Sequence, residues 1–102
     1  MLNKVRIKLV DAECLGSFYF NQNPDITSLA KSLRNRYTVA ATIECGKNGE
    51  DAAEEMFDLT NNPGRDEDRA RLYGRQRSVS VGDKVEVNGV EYLCAPTGWI
   101  KI

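Results

Sequence analysis

Histidine is missing altogether from this 102-residue chain, and with it the commonest proton shuttle, nucleophile activator and metal ligand. A serine, threonine or cysteine nucleophile would have to take a lysine or carboxylate as its base. Cysteine is scarce as well: Cys14, Cys45 and Cys94 are odd in number and widely spaced, with no CxxC pair. That usage excludes a disulfide framework and predicts reduced, packed thiols; zinc would need an unusual ligand set. Closely spaced glycines opening a helix are lacking too, so neither Gly46 with Gly49 nor Gly74 with Gly82 forms a phosphate cradle. No run of about 18 apolar residues is present to span a bilayer, and the N-terminal segment lacks the pattern of a secretory signal, so a cytoplasmic protein is expected. Net positive charge is absent: the formal charge is −1, which argues against bulk attraction to nucleic acid. These absences together predict a protein that is not an enzyme and carries no metal or cofactor.

What remains is an ordinary globular composition, 41% hydrophobic and 28% charged, in a length that supports one core. A single domain over residues 1–102 is expected. The charge is unevenly placed. Residues 1–50 carry seven Lys+Arg against five Asp+Glu, and residues 51–102 carry seven against ten. Asp51, Glu54, Glu55 and Asp58 form an acidic run, followed by Arg65, Arg69, Arg71, Arg75 and Arg77.

Hydrophobic periodicity orders the elements. Residues 2–10 alternate, with Val5, Ile7 and Leu9 on one side and Lys4, Arg6 and Lys8 on the other, as in a half-buried antiparallel strand. Residues 11–16 read as a connection and 17–20 as a short aromatic strand, closed by Asn21, Asn23 and Pro24. Behind a capping Asp25, Ile26, Leu29, Ala30 and Leu33 take helical spacing over about 26–36. Residues 37–45 alternate again, and Gly46-Lys47-Asn48-Gly49 turns the chain. A second helix over 51–60 places Ala52, Ala53, Met56, Phe57 and Leu59 along one side, with its acidic residues near the positive end of the helix dipole.

Pro63 and Gly64 end that helix, a further helical turn covers 65–72, and Gly74 breaks it. Residues 78–81 and 85–87 read as strands separated by Gly82-Asp83, and Asn88-Gly89 is the strongest hairpin signal in the chain. Residues 90–94 return, Ala95 to Gly98 turn once more, and residues 99–102 close the sheet. The pattern predicts an α+β fold: a mainly antiparallel sheet with two helices and a C-terminal β-hairpin or meander.

Two readings stand for the arginine segment. In one, Arg65, Arg69, Arg71, Arg75 and Arg77 pair with Asp66, Glu67, Asp68 and the acidic helix. In the other, Arg69, Arg71, Tyr73, Arg75 and Arg77 form an exposed basic-aromatic patch suited to a protein partner, since arginine and tyrosine are enriched at binding hot spots. The carboxylate pairs Glu54/Asp58 and Asp66/Asp68 read as solvated faces. Phe18, Tyr19 and Phe20 with Trp99 are a secondary candidate, an aromatic contact face should Trp99 lie at the surface beside them.

Residues 51–102 resemble small proteins of bacteriophages, plasmids and conjugative elements, including the YodL-like domain. The residues that carry the resemblance are Met56-Phe57-Asp58-Leu59-Thr60-Asn61, then Arg77-Ser78-Val79-Ser80-Val81-Gly82-Asp83-Lys84-Val85, then Gly98-Trp99-Ile100-Lys101-Ile102. Trp99 stands where many relatives have phenylalanine. The resemblance implies a mobile-element accessory protein acting in the host bacterial cytoplasm by binding a bacterial protein, as host-takeover and anti-defence inhibitors do, anti-CRISPR and anti-restriction proteins among them. The alternative is a small nucleic-acid-associated module using Arg69 to Arg77. Either is expected as a monomer or small homo-oligomer.

Overall fold

The computed structural model describes residues 2–20 and 25–102, without the side chains of Tyr19 and Phe20. Asn21, Asn23 and Pro24, expected to close the aromatic segment, lie outside the described residues. Five strands form one antiparallel sheet: β1 (Asn3–Val10), β2 (Tyr37–Cys45), β3 (Lys84–Val87), β4 (Val90–Ala95) and β5 (Gly98–Lys101), in the order β2-β1-β3-β4-β5. Among the described residues four α-helices accompany it: α1 (Leu15–Phe20), α2 (Ile26–Ser32), α3 (Gly49–Asn61) and α4 (Asp66–Leu72). The expected α+β class and antiparallel sheet are present, with four helices in place of two.

Each face of the sheet is set by strand alternation. Val5, Ile7, Ile43, Val85, Val87 and Cys94 pack against Ala52, Ala53, Met56 and Leu59 of α3. On the opposite face, Val10 and Leu93 meet Cys14, Phe18 and Ala30 from the α1 and α2 side. The rest of that face is charged: Glu86 binds Arg6 and Lys8 at 2.9 Å each, and Lys8 reaches Glu91 at 2.8 Å. The Lys8 hydrogen bond holds the Glu86 carboxyl below its usual range. Lys84 is nearly buried there, with its ammonium 4.3 Å from the centre of the Tyr37 ring and 3.7 Å from Glu91.

Three local expectations are corrected. Residues 17–20 are the end of helix α1, not a strand: Cys14 and Phe18 bury one helical face while Ser17 between them is exposed. The helix behind Asp25, whose carboxylate accepts the Ser28 amide at 3.0 Å, stops at Ser32 and gives way to a 3-10 turn over Arg34–Arg36. Residues 78–81 join no strand. Their backbone groups are satisfied by side chains instead, Val79 N–H by Thr60 Oγ1, Val79 C=O by Asn61 Nδ2 and Ser80 N–H by Asp83. The Asn88-Gly89 hairpin forms as expected, with φ of 50° and 87°. Cys14, Cys45 and Cys94 are all buried free thiols.

Candidate functional site

Helix α4 is folded back on α3 by Arg65, which reaches Glu55 at 3.0 Å and Asp58 at 3.2 Å. Those two hydrogen bonds, Glu55 first, raise the guanidinium pKa further above its ordinary value. Asp66, Glu67 and Asp68 in the first turn of α4, with Arg69 and Arg71 in its last, suit the helix dipole. The arginine segment that follows divides into side chains turned inward and side chains turned outward.

Arg69 is turned inward. Its guanidinium donates to Thr60 O at 2.5 Å, Ser78 Oγ at 3.0 Å and Gln76 O at 2.5 Å, tying the end of α3 to the chain beyond α4. It also lies 5.7 Å over the Tyr73 ring. Tyr73 is 6% exposed and donates its hydroxyl to Arg77 O at 2.5 Å. Burial pushes its pKa up to about 12. Arg77 makes a two-pronged contact with the fully buried Asp83, at 2.6 and 2.7 Å, and donates to Val10 O at 2.6 Å. Asp83 accepts the amides of Val10 and Ser80 at 2.8 Å each, so its charge is met from four directions. Three of the five residues expected in an exposed patch are therefore framework, and Tyr73 is corrected from surface to core.

Arg71, Leu72 and Arg75 are turned outward. The Arg71 side chain is 69% exposed and touches Asp68 at 3.2 Å. Leu72 is among the exposed large hydrophobic residues. Arg75 is exposed and makes no hydrogen bond or ion pair among the described residues. The chain between them bends at Gly74, whose φ of 84° favours glycine. Next to Arg75, Gln76 fixes the bend by donating to Ala40 O of β2 at 2.7 Å and to Tyr73 O at 3.1 Å. Leu72 and Gln76 were not singled out in the sequence. Leu72 is a leucine at the last position of α4 and by residue type alone reads as core, and the role of Gln76 depends on a strand 36 residues away.

The secondary aromatic candidate is split between the two sheet faces. Phe18 is buried in the cluster beneath α1 and α2. Trp99 packs edge-on against Phe57 of α3, ring centres 6.5 Å apart, and donates its indole N–H to Glu54 at 2.8 Å. The side chains of Tyr19 and Phe20 lie outside the described residues. The Glu54/Asp58 pair is occupied structurally, Glu54 by Trp99 and Asp58 by Arg65 and Asn62. Burial, then Asp83 and Glu54, push the Cys94 thiol up to about 12, so it is neutral and a poor nucleophile. Among the described residues no three His, Cys, Asp or Glu side chains are grouped to hold a metal ion. No described helix is long and apolar enough to cross a membrane.

The side chains left exposed, Arg71, Leu72 and Arg75, bring two guanidinium groups and one leucine to the end of α4 and the bend after it, chemistry that suits carboxylates and an apolar spot. No protein-family model matches this chain, and no curated protein or solved structure is significantly similar to it.

Proposed function

We propose that this chain is an accessory protein of a bacteriophage or related mobile element that binds a bacterial host protein in the host cytoplasm, in the manner of anti-defence inhibitors such as anti-CRISPR or anti-restriction proteins. It acts by occupancy and not by catalysis. Its contact surface is Arg71, Leu72 and Arg75. One observation carries the assignment of that surface: Arg69, Tyr73 and Arg77 pin the segment to α3, β1 and the turn at Asp83, and Arg71, Leu72 and Arg75 are left facing solvent. A contact surface held rigid before binding loses little conformational entropy on association. The mobile-element context rests on the resemblance of residues 51–102.

Asp66, Glu67 and Asp68 on the same short helix favour a protein over a nucleic acid, because a nucleic acid presents phosphates along its whole length, whereas a protein surface can set carboxylates against the arginines and other groups against the acidic turn. The immobilised chain is expected to retain one host protein stoichiometrically from bacterial lysate. The variant R71E/R75E should reduce that retention by roughly tenfold or more with an unchanged unfolding midpoint. Equal retention by the variant, or no stoichiometric partner, would contradict the proposal. Binding to DNA or RNA that falls steeply with salt would replace it with the nucleic-acid module.

A further inference from the structure

Where α2 ends, its cover over the charged sheet face ends with it, and a cleft of about 330 Å³ opens there. Its lining is mostly cationic. Lys31 comes from the last turn of α2, Arg34 from the 3-10 turn that follows, and Lys84 from β3; Glu91 of β4 and Ile102 complete it. Ile102 is set beside β4 by its N–H, which donates to Glu91 O at 3.0 Å.

Lys84 is the unusual member. It is 5% exposed, yet its ammonium makes no hydrogen bond among the described residues. Every fully enclosed side-chain nitrogen or oxygen among those residues has a hydrogen-bond partner, so the Lys84 ammonium is not enclosed and opens on the cleft that it lines. Its one carboxylate, Glu91 at 3.7 Å, is beyond hydrogen-bond distance and lies closer to Lys8, at 2.8 Å. Lys8 is also the direct cross-strand neighbour of Lys84, and like charges so placed repel. Lys8 has a second carboxylate in Glu86, whereas Lys84 has the face of the Tyr37 ring. An ammonium taken out of water without a hydrogen bond costs stability, and an apolar residue of similar length would pack on Tyr37 without that cost.

The two cations at the rim are uncommitted as well. Lys31 and Arg34 are exposed and make no hydrogen bond or ion pair among the described residues. Arg36 in the same 3-10 turn is held by Asp11 at 2.6 Å, which fixes the turn from which Arg34 lines the cleft.

We propose that this cleft binds the phosphate group of a small molecule. Three cations against one carboxylate leave two positive charges in excess, which matches a phosphate monoester dianion near neutral pH. Lys84 supplies a point charge with unused N–H groups, and the Arg34 fork suits two phosphate oxygens. The bound anion gives Lys84 the hydrogen-bond partner that the fold withholds. The cleft has more room than inorganic phosphate fills, and its 330 Å³ falls at the small end of ligand sites, which run from roughly 300 to 1,000 Å³. Ile102 offers the organic part an apolar wall. No glycine loop takes part, so the sequence pattern of a phosphate cradle does not mark the site.

The cleft shares no residue with the Arg71, Leu72 and Arg75 surface, and its test needs no host protein. Titration calorimetry of the purified chain at low ionic strength, with ribose 5-phosphate as the probe, is expected to show saturable binding at one site. Ribose should not bind. Inorganic phosphate distinguishes the two sources of the anion: weaker binding than the ester supports an organic phosphate, and equal binding supports phosphate itself. Lys84→Met should weaken ribose 5-phosphate binding roughly tenfold or more, while the urea midpoint without ligand stays equal or rises. A purely structural lysine would instead lower that midpoint and leave the affinity alone. If Lys84→Met does not fold, the surface variant K31S/R34S decides by the same loss of affinity. No saturable binding, equal binding of succinate, or an affinity unchanged in both the folded Lys84→Met and K31S/R34S would overturn the proposal.

Discussion

Gly82 is held by two requirements at once. Its φ is 99°, in the left-handed region, and a methyl group added to it would stand 2.5 Å from the Phe18 ring. The ring cannot withdraw easily, because Phe18 is 5% exposed and belongs to the buried cluster under α1 and α2. Gly82 also offers its carbonyl to the Tyr37 hydroxyl at 2.6 Å and its N–H to Cys94 O at 2.9 Å. Gly82→Ala is therefore expected to destabilise the fold by about 2–4 kcal/mol, from backbone strain together with overpacking. A urea midpoint within error of wild type would show that the Phe18 side moves freely. The positive φ was legible from a Gly-Asp pair in turn context; the approach of Phe18 was not, because residues 17–20 read as a strand.

Among elements, the junction between α3 and the extended segment after α4 carries the least visible structure. Thr60 is fully buried at the end of α3, and its hydroxyl oxygen accepts the Val79 amide at 3.1 Å. The shape-conserving Thr60→Val should leave that amide buried without a partner and cost about 1–3 kcal/mol in a denaturation measurement. An unchanged stability would mean that Val79 finds another acceptor. Long strands and helices were legible because period and turn residues agree: β1, β2, α3 and the Asn88-Gly89 hairpin stand close to where the pattern puts them. Residues 78–81 alternate too, yet no strand lies beside them, and alternation alone cannot say whether a ladder partner exists. The edge position of β2 is likewise a property of topology, hidden from any local window. Of the arginine segment, its boundaries were legible, but not the division within it, which depends on acceptors contributed by Val10, Thr60 and Asp83.

For the whole molecule, the division of that segment into framework and surface is the central claim, since the assignment of a contact patch depends on it. Arg77→Ala removes the partner of a buried carboxylate. Because the guanidinium is itself 27% exposed, the cost is expected at about 2–4 kcal/mol, below that of a fully buried pair. Arg69→Ala removes the donor to Gln76 O and one of the two donors to Thr60 O, which keeps Ser78 Oγ, and Tyr73→Phe removes the donor to Arg77 O, at about 1–3 kcal/mol for each variant. Arg71→Ala and Arg75→Ala touch nothing the fold needs and should stay within about 0.5 kcal/mol of wild type. The direct measurement is the urea unfolding midpoint of these five single variants under one buffer. The account predicts two separated groups, with Arg69, Tyr73 and Arg77 costly and Arg71 and Arg75 neutral. A single group, all five costly or all five neutral, would contradict it.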